Sequence, residues 1–145
     1  MIKFQWLWPV FLVVLISFPR GSDAQVKYDY FLRDGNGEII QRHYVEAIKK
    51  LNIAIAAKKN GFEAYFFRGI AKFSLGDYQG AVNDFPKTLE IHNLYTRAYF
   101  YRGICRDRLY DYVHALNDYN KALEIDPFNP EVFMARGDTR IHLHD

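Results

Sequence analysis

The side chains with the most regular spacing in this 145-residue chain are charged. Arg68, Arg102 and Arg136 recur at a fixed interval, and each is followed four residues later by another cation: Lys72, Arg106 or Arg140. Four residues is one helical turn, so the six cations line up as a ladder on successive helices. Asp84 and Asp118 recur at the same interval. Two chemistries suit that arrangement. Arg68 with Asp84 and Arg102 with Asp118 can form structural ion pairs, because a half-buried guanidinium without a carboxylate is costly. Alternatively, the ladder can grasp an acidic peptide.

Groups suited to catalysis are scattered. His43, His92, His114, His142 and His144 are scattered along the chain, and a step of two positions from His142 to His144 puts them on nearly opposite sides of a helix, a poor arrangement for one metal. Cys105 is the lone cysteine and shares a small-residue position with Ala71, which predicts a buried, inert thiol rather than a nucleophile and excludes an intrachain disulfide framework. Residues 32–40, LRDGNGEII, resemble part of a calcium-binding loop, but Leu32 and His43 stand where the outermost oxygen ligands belong. No Ser-centred elbow, phosphate loop or metal motif is present. We therefore expect no enzyme, no cofactor and no metal.

Half of the chain is hydrophobic, enough for a packed core, and a formal charge of +2 is too small for the basic footprint of a nucleic-acid binder. The N-terminus differs from the rest. Lys3 precedes the apolar run WLWPVFLVVLISF (6–18), and Ser22-Asp23-Ala24 places small residues where a signal peptidase reads them, so residues 1–24 are expected to be a signal peptide cut before Gln25. An uncleaved membrane anchor is the alternative, weakened by a run shorter than the roughly 20 residues of a membrane span and by Pro9.

The elements that must hold these groups follow from self-similarity. A shift of 34 residues aligns AYFFRGIAKFSLGDYQGAVNDFPKTLEI (64–91) with AYFYRGICRDRLYDYVHALNDYNKALEI (98–125). Gly35, Gly69, Gly103 and Gly137 share one column, and Ala47, Ala81 and Ala115 another. Such a period means stacked copies of one supersecondary unit. Val82, Phe85 and Leu89 lie on one helical face, Leu75-Gly76-Asp77 breaks that helix from the one before it, and Asn129-Pro130-Glu131 starts a new one. Each unit is thus a helix hairpin.

These residues resemble the tetratricopeptide repeat, whose pattern is an aromatic, two positions, Leu-Gly, then Ala, an aromatic and Pro. Tyr65, Gly69, Ala81 and Phe85 carry it in one unit, and Tyr99, Gly103, Ala115, Tyr119 and Pro127 in the next. The sequence departs from the pattern where Arg68, Arg102 and Arg136 replace Leu, where Asn93 replaces Pro, and where Pro86 falls inside a helix. The resemblance implies an all-α fold, a tetratricopeptide-type α-solenoid of antiparallel helix hairpins. The expected repeats are 62–95 and 96–129, with 130–145 the first helix of a further unit. Residues 25–61 form a degenerate repeat, with a short hairpin or loop at 32–40, then a helix from about Arg42 to Lys59 stopped by Gly61. The final helix reads either as a cap or, with its repeat signature intact, as part of a longer array or shortened gene product.

The resemblance also implies a concave groove lined by Phe66, Phe67, Ile70, Phe73, Phe100, Tyr101, Ile104 and Arg108. Exposed aromatics anchor peptides well, although each could instead pack against a neighbouring helix. In family members that clamp the carboxylate tail of a cytosolic chaperone, Lys and Asn occupy several groove sites; Phe66, Ile70, Tyr101, Glu131 and Ala135 stand there here, so that activity is not implied. The expected function is non-catalytic binding of a protein or peptide partner on the concave face. No nucleic acid is expected, and a membrane only through an uncleaved N-terminus. The expected location is exported, periplasmic or secreted, in a bacterial envelope. A structural or self-associating piece of a longer array is the alternative.

Overall fold

The computed structural model describes residues 22–144. Most of the expected signal segment lies outside the described residues. Seven helices follow one another: α1 (Asp23–Ile40), α2 (Tyr44–Ala57), α3 (Phe62–Ser74), α4 (Tyr78–Ile91), α5 (Thr96–Arg108), α6 (Tyr112–Ile125) and α7 (Pro130–His144). No strand occurs among the described residues, and no helix there is long and apolar enough to cross a membrane.

Local chemistry sets the helix ends. Asp77 accepts a hydrogen bond from the Gly80 N–H at 2.8 Å and caps α4. Asn129 does the same for α7 through the Val132 N–H at 3.2 Å, with Pro130 opening the helix. One turn position recurs in all three hairpins: Arg42, Gly76 and Tyr110 have φ of 64°, 80° and 62°. Only the middle one is the glycine that this left-handed backbone favours.

Helices α1 and α2, α3 and α4, and α5 and α6 pair as hairpins, and each second helix packs on the next first helix. First helices also touch one another in the order α1, α3, α5, α7, whereas α2, α4 and α6 do not meet. A stack that is tight along one row and open along the other curves, with the first helices on its inner side.

Three core clusters fill the spaces between hairpins, centred on Leu51, on Phe66 with Phe85, and on Tyr119. The glycine column permits this packing. A Cβ at Gly35 would lie 2.7 Å from Leu51, one at Gly69 2.7 Å from Phe85, and one at Gly103 2.5 Å from Tyr119. Only hydrogen fits beneath each large side chain.

That packing corrects the expected loop at 32–40. The Asp-Gly-Asn-Gly stretch lies inside α1, which is continuous to Ile40, and α2 begins at Tyr44 rather than Arg42. Two helical glycines cost about 1 kcal/mol each, but burial of Leu51 against Gly35 and of Tyr28 against α3 outweighs that local preference. Gly61 acts as the N-cap of α3, pressed against the Tyr28 ring, whose hydroxyl donates to Glu63 at 2.8 Å. The assigned helix α4 runs through Pro86 without a break.

Candidate functional site

The charged columns converge inside each hairpin. Arg68 donates through Nε to Asp84 at 2.9 Å, and Lys72 reaches the same carboxylate at 2.8 Å. Arg102 and Arg106 repeat this on Asp118 at 2.9 and 2.7 Å. Both aspartates are almost fully buried, so two cations on each carboxylate offset its desolvation. The arginines do more than pair. Arg68 also donates to Asn52 of the preceding α2 at 2.7 Å, and each guanidinium lies over the aromatic three residues earlier, Tyr65 or Tyr99. One Arg thereby ties its own hairpin to the previous one, which a Leu could not do. With Arg68, Lys72, Arg102 and Arg106 so engaged, the ladder over these two hairpins faces its own chain.

The first hairpin holds a triad that sequence reasoning missed. Asp34 and Glu38 of α1 flank Lys50 of α2, with Asp34 at 3.0 Å. These three residues occupy the columns of Arg68, Lys72 and Asp84 with every charge reversed. Carrying the thirty-four-residue shift one unit further back would have revealed them.

The inner face presents the predicted groove residues unequally. Phe66 is 0% exposed, wedged against Phe85, Tyr95 and Tyr101, and Arg97 lies over its ring, so it belongs to the core and not to a contact surface. Phe67, Ile70, Phe73, Phe100, Tyr101 and Ile104 are half-buried, and Arg108 is exposed. Tyr101 is the joint between units: its ring stacks on Phe85 and meets Phe73 edge-on at 5.7 Å while one side stays open.

Two depressions lie along this face. A shallow one of about 300 Å³ is lined by Asp29, Leu32, Arg33, Asn36 and Phe67, so that α1 and α3 share it. A larger one of about 510 Å³ lies between α5 and α7, where Ile104 and Arg108 face Ala135, Asp138 and His142. Its floor is polar. Asp107 accepts from the Tyr119 hydroxyl at 2.6 Å and from Thr139 at 2.7 Å, and its other oxygen is buried without a protein partner. Burial, then that hydrogen bond, pushes the Tyr119 hydroxyl well above the ordinary phenol range. Asp107 was also missed from sequence. Its signal is a carboxylate in the column of Ile39 and Phe73.

The remaining reactive groups are occupied. Cys105 is fully buried, and desolvation, with the charge of Asp77, pushes its thiol up to about 12. His142 stacks on Tyr112, His43 meets Glu38 and His114 meets Asp111. No group of three His, Cys, Asp or Glu among the described residues is placed to share a metal ion.

Known proteins share this architecture. Residues 96–129 match the family profile described as tetratricopeptide repeat. RNA polymerase II-associated protein 3 of Xenopus tropicalis is 37% identical over 76 residues, which is 51% of this chain and 11% of that protein's length. The first tetratricopeptide domain of Spaghetti, solved with the HSP90 peptide SRMEEVD, superposes with a TM-score of 0.82 at 28% identity, over 85% of this chain and 97% of that one. The corresponding domain of Arabidopsis OM64 gives 0.80 at 25% identity, over 82% and 98%. With one repeat matched in sequence and the hairpins on either side continuing the same packing, the described residues fold as a tetratricopeptide-type α-solenoid.

Proposed function

We propose that this chain is a protein-interaction module that holds an extended segment of a partner protein along the inner face of α1, α3, α5 and α7. The observation that carries the reading is the open strip from Phe67 through Tyr101 to Ile104, with a depression at each end. Half-open aromatic and aliphatic side chains on rigid helices bury area on binding with little loss of rotamer freedom. Arg33 at one end and Arg108 at the other offer cations that orient acidic groups of the segment. The peptide-bound state of a similar domain supports this mode of use. The mechanism is docking, with no covalent step.

A random-peptide phage library selected on the immobilised chain tests this. Selected peptides should bind Phe67→Ala and Tyr101→Ala at least about tenfold more weakly, as expected for loss of a buried aromatic anchor. Lys121→Ala, on the exposed side of α6, should leave binding unchanged. Peptides indifferent to both aromatic substitutions would place the contact elsewhere. Export is part of the proposal and rests on the apolar run at 6–18; cutting before Gln25 would cost α1 its Ser22 cap, and an intact mass beginning at Gln25 in a periplasmic extract would support the cut, whereas a mass retaining Ser22 would reject it.

A further inference from the structure

The depression between α5 and α7 owes its shape to two exchanges in the repeat columns. Phe73 and Tyr101, which close the equivalent space between α3 and α5 by meeting edge-on at 5.7 Å, give way one unit later to Asp107 and Ala135. Loss of the two rings leaves a hollow of about 510 Å³, walled by Ile104 of α5, Tyr112 and Tyr119 of α6, and Thr139 of α7. Residue type inside the stack makes it, with helices on every side. The carboxylate at its floor lacks a counter-charge. Tyr119 and Thr139 both donate to one oxygen of Asp107, at 2.6 and 2.7 Å, and the other oxygen is buried with no protein donor. The lining carries two carboxylates, Asp107 and Asp138, against one guanidinium, Arg108, and no ion pair joins them among the described residues. The other two α5 arginines, Arg102 and Arg106, are held by Asp118.

We propose that this hollow receives a lysine side chain of the partner segment, its ammonium against Asp107 and Asp138 and its methylene stem along Ile104 and the Tyr112 ring. The inference rests on the reading that a partner segment lies along the inner face, and it names the side chain that the α5–α7 end selects. An ammonium brings a full charge and three donors to one point, which suits two carboxylates that have no cation. Arginine fits less well. Its planar fork is matched by a carboxylate with both oxygens open, and one oxygen of Asp107 is already occupied by two hydroxyls. The Tyr110 and Tyr112 rings, edge-on at 6.3 Å, line the same opening and favour a cation over an anion.

The probe is N-α-acetyl-lysine methylamide, titrated into the 15N-labelled 145-residue chain and followed through the amide NMR spectrum, which also reports that each variant stays folded. Saturable shifts should fall on Asp107, Asp138 and Thr139. The same probe acetylated at Nζ, which keeps the stem and loses the charge, should shift none of them. Asp107→Asn keeps an acceptor for Tyr119 and Thr139 and should weaken the probe about tenfold or more, as for loss of a buried charge partner. Ala135→Tyr places in the hollow the residue that the preceding unit holds there and should abolish binding, whereas Lys121→Ala should leave it unchanged. Shifts that are absent, that are equal for the acetylated probe, or that ignore both Asp107→Asn and Ala135→Tyr would overturn the lysine site. Failure of the groove is read separately. Phage-selected peptides that need Phe67 and Tyr101, beside a probe that does not bind, would keep the groove and reject the lysine site; peptides indifferent to both rings, beside a probe that binds as described, would keep the lysine site and reject the groove.

Discussion

Lys50 and Asp84 occupy the same place in successive hairpins with opposite charge, and each is gripped by two side chains of the preceding helix whose charge is opposite to its own. Polarity is therefore free to vary, but neutralisation of the central group is not. A charge on the second helix enters the hairpin only when the first helix supplies two counterions a turn apart.

Asp118→Ala should lower unfolding stability by about 3 to 5 kcal/mol in urea titrations, because it leaves Arg102 and Arg106 partly buried without a carboxylate. In the first hairpin, Lys50→Asp alone should destabilise, and adding Asp34→Arg with Glu38→Lys should restore most of the loss. A triple variant no more stable than the single one would show that the sign of this triad is not exchangeable.

Pro86 stands in the column of Asn52 and Asn120, the residues that accept from Arg68 and Arg136 of the next hairpin. Arg102 has no such acceptor in Pro86, and α4 loses a backbone donor. Pro86→Asn should raise stability by about 1 to 3 kcal/mol. Chemical denaturation of that variant beside Pro86→Ala would separate the two contributions, since only Asn offers the new acceptor.

Alanine in the glycine column should act with opposite signs. Gly103→Ala sets a methyl 2.5 Å from the Tyr119 ring and should cost about 1 to 3 kcal/mol. Gly137→Ala meets nothing and should gain about 0.5 to 1 kcal/mol through helix propensity. Thermal melts of the two variants, followed by circular dichroism, should shift in opposite directions.

Arg42 holds a left-handed backbone at the α1–α2 turn with its side chain exposed. Arg42→Gly should relieve about 1 kcal/mol of backbone strain, as Gly76 already does in the next hairpin. A melt shifted downward instead would mean that the Arg side chain contributes more than its backbone costs.

Acid should weaken the first hairpin through Glu38. Its hydrogen bond to Lys50, then that to His43, holds its pKa below the ordinary 4.5. A depressed folded pKa contributes stability that is complete above the unfolded value and is lost as the pH falls through the folded one. Stability measured from pH 6 downward should therefore decline less steeply below about 4.5 in Glu38→Gln than in the wild type.

Much of the architecture was legible in one dimension because a repeat writes its geometry as a period. Tyr65, Gly69, Ala81 and Phe85, repeated 34 residues on, required identical hairpins, and a shared register makes the Arg68–Asp84 and Arg102–Asp118 spacings meaningful before any coordinate is known. Tertiary contact decided what local propensity could not. Asp34-Gly35-Asn36-Gly37 reads as a turn by itself and becomes helix because Leu51 needs the missing Cβ. Phe66 and Phe67 are neighbours of equal hydrophobicity, yet one is sealed by Phe85 and Tyr101 while the other opens on the groove. Asp107, two residues from Cys105, finds Tyr119 and Thr139 only once α5, α6 and α7 converge. Period and residue type specify the hairpin, but exposure and hydrogen-bond partners depend on the helices brought alongside it, and those distances exist only in the folded stack.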